Sequence, residues 1–399
     1  MCYNPPDELI RRTNEGILAV RLSCKQDELQ RALSHVSRAV SRKSTLPVLS
    51  NVLLRTEESS LKLIATNLEI AVTVSIPSEI DSEGETTVRA DLLTEFVSSL
   101  PNDSVKFELD TAGQSLALEC ARSKAHVKGI SPEDFPTLPS IEDGQVTAKI
   151  DPRVLREMVG QVAFAAATDD SRPVLAGVLC EFQDGRLTLA AADGFRLSVR
   201  SADLVEQNGE NMSIVVPARS LQELARIIAD EEEAVELWVT PNESQLLARS
   251  GSIEFLTRLI DGHFPDFRQI IPQQHDTRAV IGREDFLAAA RRAKLFAQSN
   301  NDIVKIQVQP GEEELDPGIA RISANAAETG DNEDAVEASI EGNEAQIAFN
   351  GRYLTDILGV IRSGDVALEM TTANAAGVIR PVGDTEFTHV IMPMVIGNN

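Results

Sequence analysis

Pro47 to Leu54, PVLSNVLL, returns as PVLAGVLC at Pro173 to Cys180, an offset of 126 residues (47 to 173). The echo continues outward. VRADLLTEFVSSLP (Val88 to Pro101) is answered by VPARSLQELARII (Val216 to Ile228), with matching leucines at 93 and 221. SPEDFPTLP (Ser131 to Pro139) is answered by DGHFPDFRQIIP (Asp261 to Pro272), with matching phenylalanines at 135 and 264. A fainter third copy follows: AADG (191–194) aligns with ANAA (324–327), and PARSL with NGRYL ending at Leu354, both offset by 133 (191 to 324, 221 to 354). Such a period exceeds the roughly 20–50 residues of solenoid repeats. It is the period of a whole domain, copied in order, and 399 residues accommodate three. The expected domains are 17–139, 145–272 and 277–399, after an extension over 1–16.

Within the first repeat, GILAVRLSC alternates apolar and polar residues as a strand does. KQDELQRALSHVSRAVSR places Leu29, Leu33, Val36 and Val40 on one helical face and predicts a helix running to Arg42. Asn51–Arg55, Leu61–Leu63 and AVTVSI read as strands. DLLTEFVSSL reads as a second helix stopped by Pro101, and Val105–Leu109, Ser115–Glu119 and His126–Ile130 as further strands. Runs of strands with two helices, rather than βαβ alternation, predict an α+β architecture: antiparallel sheet with helices on one face. Linkers are expected at 139–147 and 272–277, and a surface loop at GEEELDP (311–317).

The chain holds 37 basic and 62 acidic residues, a formal charge of −25, which repels nucleic acid by default. Positive charge is nevertheless concentrated. Residues 25–43 hold Lys25, Arg31, Arg38, Arg42 and Lys43 against Asp27 and Glu28, with Arg31, His35, Arg38 and Arg42 in one stripe. The equivalent helices carry Arg153 and Arg156, then Arg291, Arg292 and Lys294; the second helices add Arg226, Arg352 and Arg362. Recurrence in three repeats points to a surface that meets a polyanion. No aromatics interleave, so base stacking is not expected, and phosphate contact alone carries no sequence information. Residues 311–345 hold eleven acids and one Arg, and pairs such as Glu333 and Asp334 read as a solvated loop.

The four cysteines, Cys2, Cys24, Cys120 and Cys180, show no CxxC spacing, which argues against a zinc site or disulfide framework and suggests a reducing cytoplasm. The N-terminus has no apolar leader, and no run is long enough to span a bilayer. There is no Gly-rich phosphate loop, HExxH or GxSxG, and no two of the five histidines are close in sequence. A non-catalytic protein is expected, with no cofactor and no metal.

TLPVLSNVLL, LIATNLEIAV, SPEDFPTLP, RPVLAGVLCEF, LAAADGFRLSV, DGHFPDFRQIIP and the closing VIMPM resemble the bacterial DNA polymerase III beta subunit family, the replicative sliding clamps, from about residue 17 to the end. The resemblance implies a homodimer whose six domains close into a ring, sheets outside and twelve helices inside, around double-stranded DNA. It would confer processivity on the replicative polymerase and take short motifs of the polymerase, the clamp loader and repair factors. The DNA-facing set is then Lys25, Arg31, Arg38, Arg42, Lys43, Arg153, Arg156, Arg291 and Lys294. The family's apolar partner-peptide cleft maps to Arg172, Leu175, Gly194, Phe195, Arg196, Leu197, Pro265, Ile270, Asn350, Tyr353, Met392, Pro393 and Met394. Phe195 and Gln269 stand where other members often carry His and Arg, and VIGNN follows MPM. The dimer contact maps to Arg122, Lys124, Ala125 and Val127 on one side and Leu295 and Phe296 on the other, with Glu328, Asp331, Glu333 and Asp334 nearby. The competing reading is an acidic cytosolic interaction protein or DNA mimic that encircles nothing.

Overall fold

The computed structural model describes residues 20–41, 45–110, 115–139, 146–169, 171–312, 316–327 and 330–395. The N-terminal extension, Arg42, Lys43, Glu328 and parts of the expected 139–147 linker and 311–317 loop lie outside the described residues.

The first repeat runs β1 (Val20–Lys25), α1 (Gln26–Val36), β2 (Asn51–Glu57), β3 (Ser60–Thr66), β4 (Ile70–Pro77), β5 (Glu79–Ser82), β6 (Glu85–Arg89), α2 (Ala90–Ser98), β7 (Ser104–Asp110), β8 (Ser115–Cys120) and β9 (Ser123–Ile130). The second runs β10 (Ala148–Ile150), α3 (Pro152–Val162), β11 (Gly177–Gln183), β12 (Arg186–Ala192), β13 (Arg196–Asp203), β14 (Glu206–Gln207), β15 (Met212–Pro217), α4 (Ala218–Ile227), β16 (Val235–Val239), β17 (Gln245–Ser250) and β18 (Ile253–Arg258). The third runs β19 (Thr277–Gly282), α5 (Arg283–Ala297), β20 (Ile303–Gln309), β21 (Gly318–Ala326), β22 (Gly330–Gly342), β23 (Ala345–Asn350), α6 (Gly351–Val360), β24 (Asp365–Met370), β25 (Gly377–Pro381) and β26 (Phe387–Ile391). The fold is α+β, with two helices per repeat.

Three expectations need correction. Helix α1 ends at Val36 and unwinds through a short 3-10 turn, after which Val40 is extended. The cause is a competing bond: Ser41 N–H donates to the Leu49 carbonyl at 2.9 Å, drawing the chain onto the PVLS turn. The second repeat does the same 126 residues on, where Ala167 N–H donates to the Leu175 carbonyl at 2.8 Å. Second, β5 and β6 were not expected as strands. Third, Glu333 and Asp334 lie inside the long strand β22, not in a loop.

The chain divides into two compact units. One comprises residues up to 144 with 237–240 and 245–258; its sheet runs β17-β18-β4-β3-β2-β6-β9-β8-β7-β1-β5. The other comprises 145–236, 241–244 and 259–399; its larger sheet runs β15-β11-β12-β13-β26-β25-β24-β19-β22-β21-β20-β23. Each unit therefore contains one joint between repeats. Strand β18, last of the second repeat, pairs antiparallel with β4 of the first, Phe255 opposite Val72. Strand β26, last of the third, pairs antiparallel with β13 of the second, His389 opposite Ser198.

Burial repeats as the sequence does. Val48, Leu49, Leu53, Ile64 and Phe135 cluster in the first unit. Their counterparts Val174, Leu179, Ala190 and Phe264 cluster in the other, with Leu197, Phe267, Val378 and Val390. Helix α1 buries Leu29, Ala32, Leu33 and Val36, the single apolar stripe of a surface helix, each large side chain contributing about 1.5–3 kcal/mol. Helix α5 instead buries Ala289, Ala290, Ala293 and Ala297. Those small side chains let the backbone of α5 lie close to its neighbours, where its own Phe286 joins Phe349 and Leu354 in the core.

Candidate functional site

The helical cations are only partly free. Arg31 and Arg38 are exposed along α1 and its 3-10 extension. Lys25, at the start of α1, reaches Glu28 at 3.4 Å. On α3 Arg153 is exposed, but Arg156 donates to the Ala229 carbonyl at 2.9 Å. It thereby serves the C-terminal end of α4, where a cation is favoured. Arg291 and Lys294 on α5 line a groove of about 390 Å³ with Thr355 and Asp356 of α6. Arg292 turns the other way and grips Asp334 on β22 at 2.7 Å. That guanidinium, through its hydrogen bond above all, holds the Asp334 carboxyl below its ordinary range. Arg226 pairs with Glu223 and Arg362 with Glu157. Among the described residues, Arg31, Arg153, Arg291 and Lys294 make no ion pair.

A second constellation surrounds the turn between β12 and β13. Asp193 Oδ1 accepts the backbone N–H groups of Phe195 and Arg196 at 2.9 and 3.0 Å, an Asx turn. The turn requires φ +94° at Gly194, a conformation glycine adopts without steric cost. A Cβ there would also lie 3.6 Å from the guanidinium of Arg172. The turn lifts Phe195 into solvent, 59% exposed, beside Ile270 at 42% and Met392 at 43%. A small apolar pocket of about 50 Å³ opens among them, with Leu197 and Val390 at its base. Met392 N–H donates to the Phe195 carbonyl at 2.8 Å, and Met394 N–H to the Ala348 carbonyl at 2.8 Å, which seats the closing MPM segment. Leu175 is buried behind the PVLA turn, Pro265 is exposed, Pro393 half-buried, and Asn350 caps α6 by accepting from the Arg352 and Tyr353 N–H groups.

Arg196 is among the residues that line this pocket, but its guanidinium is engaged within the fold. Its side chain is only 5% exposed. Nε donates to Asp193 at 3.0 Å, Nη1 to Asp356 at 2.8 Å and Nη2 to the Phe164 carbonyl at 2.9 Å. Its faces meet Phe164 and Tyr353, 5.2 and 4.4 Å from the ring centroids. Beside it, His389 is fully buried, hydrogen-bonded through Nδ1 to Ser198 Oγ at 2.6 Å and stacked on Phe164. Burial first, and the Arg196 charge second, push its pKa down to about 3, so the ring is neutral at neutral pH.

Besides the strands at the sheet ends, two interior strands are left partly unpaired. Strand β9 pairs with β8 over 123–128 and with β6 only through Gly129 and Ile130, so 123–128 has one free side. Strand β22 pairs with β21 over 330–338 and with β19 over 338–342, leaving 330–337 free on the β19 side. On β9, Lys124 and His126 point outward; on β22, Asp331 and Glu333 do. Arg122, in the turn before β9, is exposed and Ala125 half-buried. Val127, expected at a dimer contact, is 4% exposed and faces the core of its own unit. Leu295 is 67% exposed, whereas Phe296 packs half-buried against the third repeat's core.

Family profiles match along the chain: the DNA polymerase III beta subunit N-terminal domain over residues 20–139, the central domain over 149–266 and the C-terminal domain over 268–395. A beta sliding clamp of Synechococcus elongatus is 30% identical over 381 residues, spanning 94% of this chain and 99% of the relative. The chain belongs to the DNA polymerase III beta subunit family. Among solved structures, the DNA polymerase sliding clamp of Bacillus subtilis superposes with a TM-score of 0.88 at 28% identity, over 95% of this chain and all of that one. A Pseudomonas aeruginosa sliding clamp bound to griselimycin gives 0.87 at 29%, over 95% of this chain and 100% of that one. Function follows family: this is a DNA sliding clamp, a polymerase subunit, and not the encirclement-free DNA mimic. No helix among the described residues is long and apolar enough to cross a membrane.

Sequence reasoning missed four residues of this clamp's cleft region. Asp193 had a local signal, since Asp-Gly marks a turn. Phe164, Asp356 and His389 had none, because each acts through contacts between distant segments.

Proposed function

We propose that two copies of this clamp close head-to-tail into a ring around duplex DNA, and that the pocket beside Phe195 takes short apolar peptide motifs of replication and repair proteins. One observation carries the ring. The last strand of the second repeat pairs with the fourth strand of the first (β18 on β4), and the last of the third with the fourth strand of the second (β26 on β13). That rule leaves one donor, β9, and one acceptor, β22, and each has an unpaired stretch on one side, over 123–128 and 330–337. A second copy satisfies both, twice over, under a two-fold axis.

The register follows. Ala125 faces Leu118 as Phe255 faces Ala248, each 130 residues on. Val72 faces Ala65 and Ser198 faces Ala191, whose third-repeat counterpart Ala324 faces Asn332. Phe255–Val72 and His389–Ser198 therefore predict Ala125 opposite Asn332, Lys124 opposite Glu333 and His126 opposite Asp331. Every outward residue then meets an outward one, as the two-residue side-chain period demands.

Inside such a ring, Arg31, Arg38, Arg153, Arg291 and Lys294 supply phosphate contacts that need no strength, since a closed ring cannot leave sideways. Lys25, Arg42, Lys43 and Arg156 belong to the same proposed surface, with Arg156 already committed to Ala229. Domain limits of 17–139, 145–272 and 277–399 suit this arrangement. The cleft reading rests on the exposed Phe195, Ile270 and Met392, and griselimycin binding by the related clamp supports it.

The test is a Lys124→Cys, Glu333→Cys double variant. Directly opposed strand residues lie within disulfide reach, so mild oxidation should give a covalent dimer near twice 43.3 kDa. Loaded on nicked circular DNA first and oxidised there, the dimer should stay bound and slide off once the circle is cut. Absence of the cross-link with the dimer intact overturns the register; retention on cut DNA overturns encirclement.

A further inference from the structure

We propose that Asp356, on α6 and outside the cleft lining, is a positioning residue that holds the buried Arg196 and so fixes the cleft in its peptide-accepting shape. The inference rests on the cleft reading above.

A guanidinium has five N–H donors and two faces. In Arg196 the donors go to Asp193, Asp356 and the Phe164 carbonyl, and the faces are covered by Phe164 and Tyr353. Three of its five N–H groups are engaged and the side chain is only 5% exposed, so its main role is to join what surrounds it. Of its two carboxylates, Asp193 belongs to the turn itself, and its other oxygen is occupied by the Phe195 and Arg196 N–H groups. Asp356 alone comes from another element, 160 residues away in sequence. Tyr353, one turn earlier on α6, lies on the same face. The Asp356–Arg196 pair thus ties α6, with Tyr353 and the Asn350 cap, to the turn that presents Gly194 and Phe195. Asp356 is one-third exposed and also lies 3.9 Å from the surface Arg352. Exchange for Asn therefore removes a charge without opening the core.

A buried cation that loses one anion must shift to find another partner, and here its movement displaces both walls of the cleft. The probe is griselimycin, titrated calorimetrically onto the full-length dimer. Asp356→Asn should weaken binding about tenfold, the scale of one lost charge-assisted hydrogen bond, and Asp356→Glu should recover most of it. In an Arg196→Gln background the Asp356→Asn exchange should change affinity by less than about twofold, because residues acting through one another are non-additive. Thermal midpoints recorded alongside identify a merely structural role, which would lower the midpoint and leave the folded protein's affinity alone. Unchanged affinity in Asp356→Asn, or an equal loss in both backgrounds, overturns the inference while leaving the cleft reading intact. A wild-type clamp that binds no griselimycin overturns the cleft reading and this inference with it.

Discussion

Reversing one charge at the open edge should break the dimer, by an amount that the register sets. Lys124 is two-thirds exposed and rests on Glu119 of its own sheet at 3.1 Å. In the proposed joint it faces Glu333, which is 59% exposed and held only loosely by Arg321 at 3.6 Å. Directly opposed pairs of opposite charge contribute about 0.2–1 kcal/mol, and like charges cost a similar amount. Lys124→Glu exchanges the first for the second and adds a diagonal repulsion with Asp331, roughly 1–2 kcal/mol per joint after allowance for solvent screening. The ring has two joints, so dimerisation loses about 2–4 kcal/mol, or roughly 30- to 700-fold in dissociation constant. Sedimentation velocity across a dilution series at low salt measures this directly. Since the Debye length shrinks to about 3 Å at 1 M salt, the difference from wild type should narrow as salt is added. The exchange Lys124→Glu with Glu333→Lys should restore most of the lost affinity. A dimer midpoint unmoved by Lys124→Glu, or a double variant no better than the single, refutes the register.

Three further outcomes are expected. Gly194→Ala forces a Cβ into the φ +94° turn, costing about 1–2 kcal/mol and tilting Phe195, so griselimycin affinity should fall while dimer mass stays unchanged. Arg31→Glu with Arg38→Glu should shorten polymerase runs and flatten the salt dependence of DNA retention by about two ions without altering the thermal midpoint; normal processivity would remove α1 from the DNA-facing surface. His389 titrates at 6.5 when unfolded and about 3 when folded, so its contribution is complete above pH 6.5 and is lost as pH falls toward 3. Denaturant unfolding should show that slope, up to about 1.4 kcal/mol per pH unit, and His389→Gln should flatten it.

What could be read in advance, and what could not, divides along physical lines. The triplication was legible because a packed core constrains side-chain type at each step, as Val48, Leu53 and Phe135 show against Val174, Leu179 and Phe264. The first helix was legible from its apolar stripe of Leu29, Leu33 and Val36, and those of the later repeats from their correspondence with the first repeat. The end of α1 was not, because the 3.6-residue pattern continues through Val40 while a single tertiary hydrogen bond from Ser41 diverts the chain. Strand β22 was hidden because its inner face is polar too: Asp334 is satisfied by Arg292, so acids stand where alternation would show hydrophobics. Arg156 reads as a DNA-facing cation and Arg196 as a cleft residue in the sequence, and both are engaged in the fold, one by the Ala229 carbonyl and the other by Asp356.

The contrast between the built joints and the open one carries its own argument. Where β18 meets β4, Ile253, Phe255, Val72 and Val74 are all buried, and where β26 meets β13, Leu197, Val390, Ser198 and His389 are. Those joints are within one chain and never need to part. At the open edges the outward positions are Lys124 and His126 on one side and Asp331 and Glu333 on the other. An apolar version would bind more tightly and would also template aggregation in every monomer, the hazard of a bare edge strand. Charge avoids that, because β9 repels another β9 and β22 another β22, leaving only the productive pairing attractive. In the proposed ring the same polarity would make this joint weaker than the two within a chain, and a ring that must admit DNA has to open somewhere. The chemistry of the edges therefore assigns opening to the β9–β22 joint rather than to either joint within a chain, and a variant with that joint closed by the Lys124→Cys, Glu333→Cys cross-link should fail to load onto circular DNA when oxidised beforehand yet remain on it when oxidised afterwards.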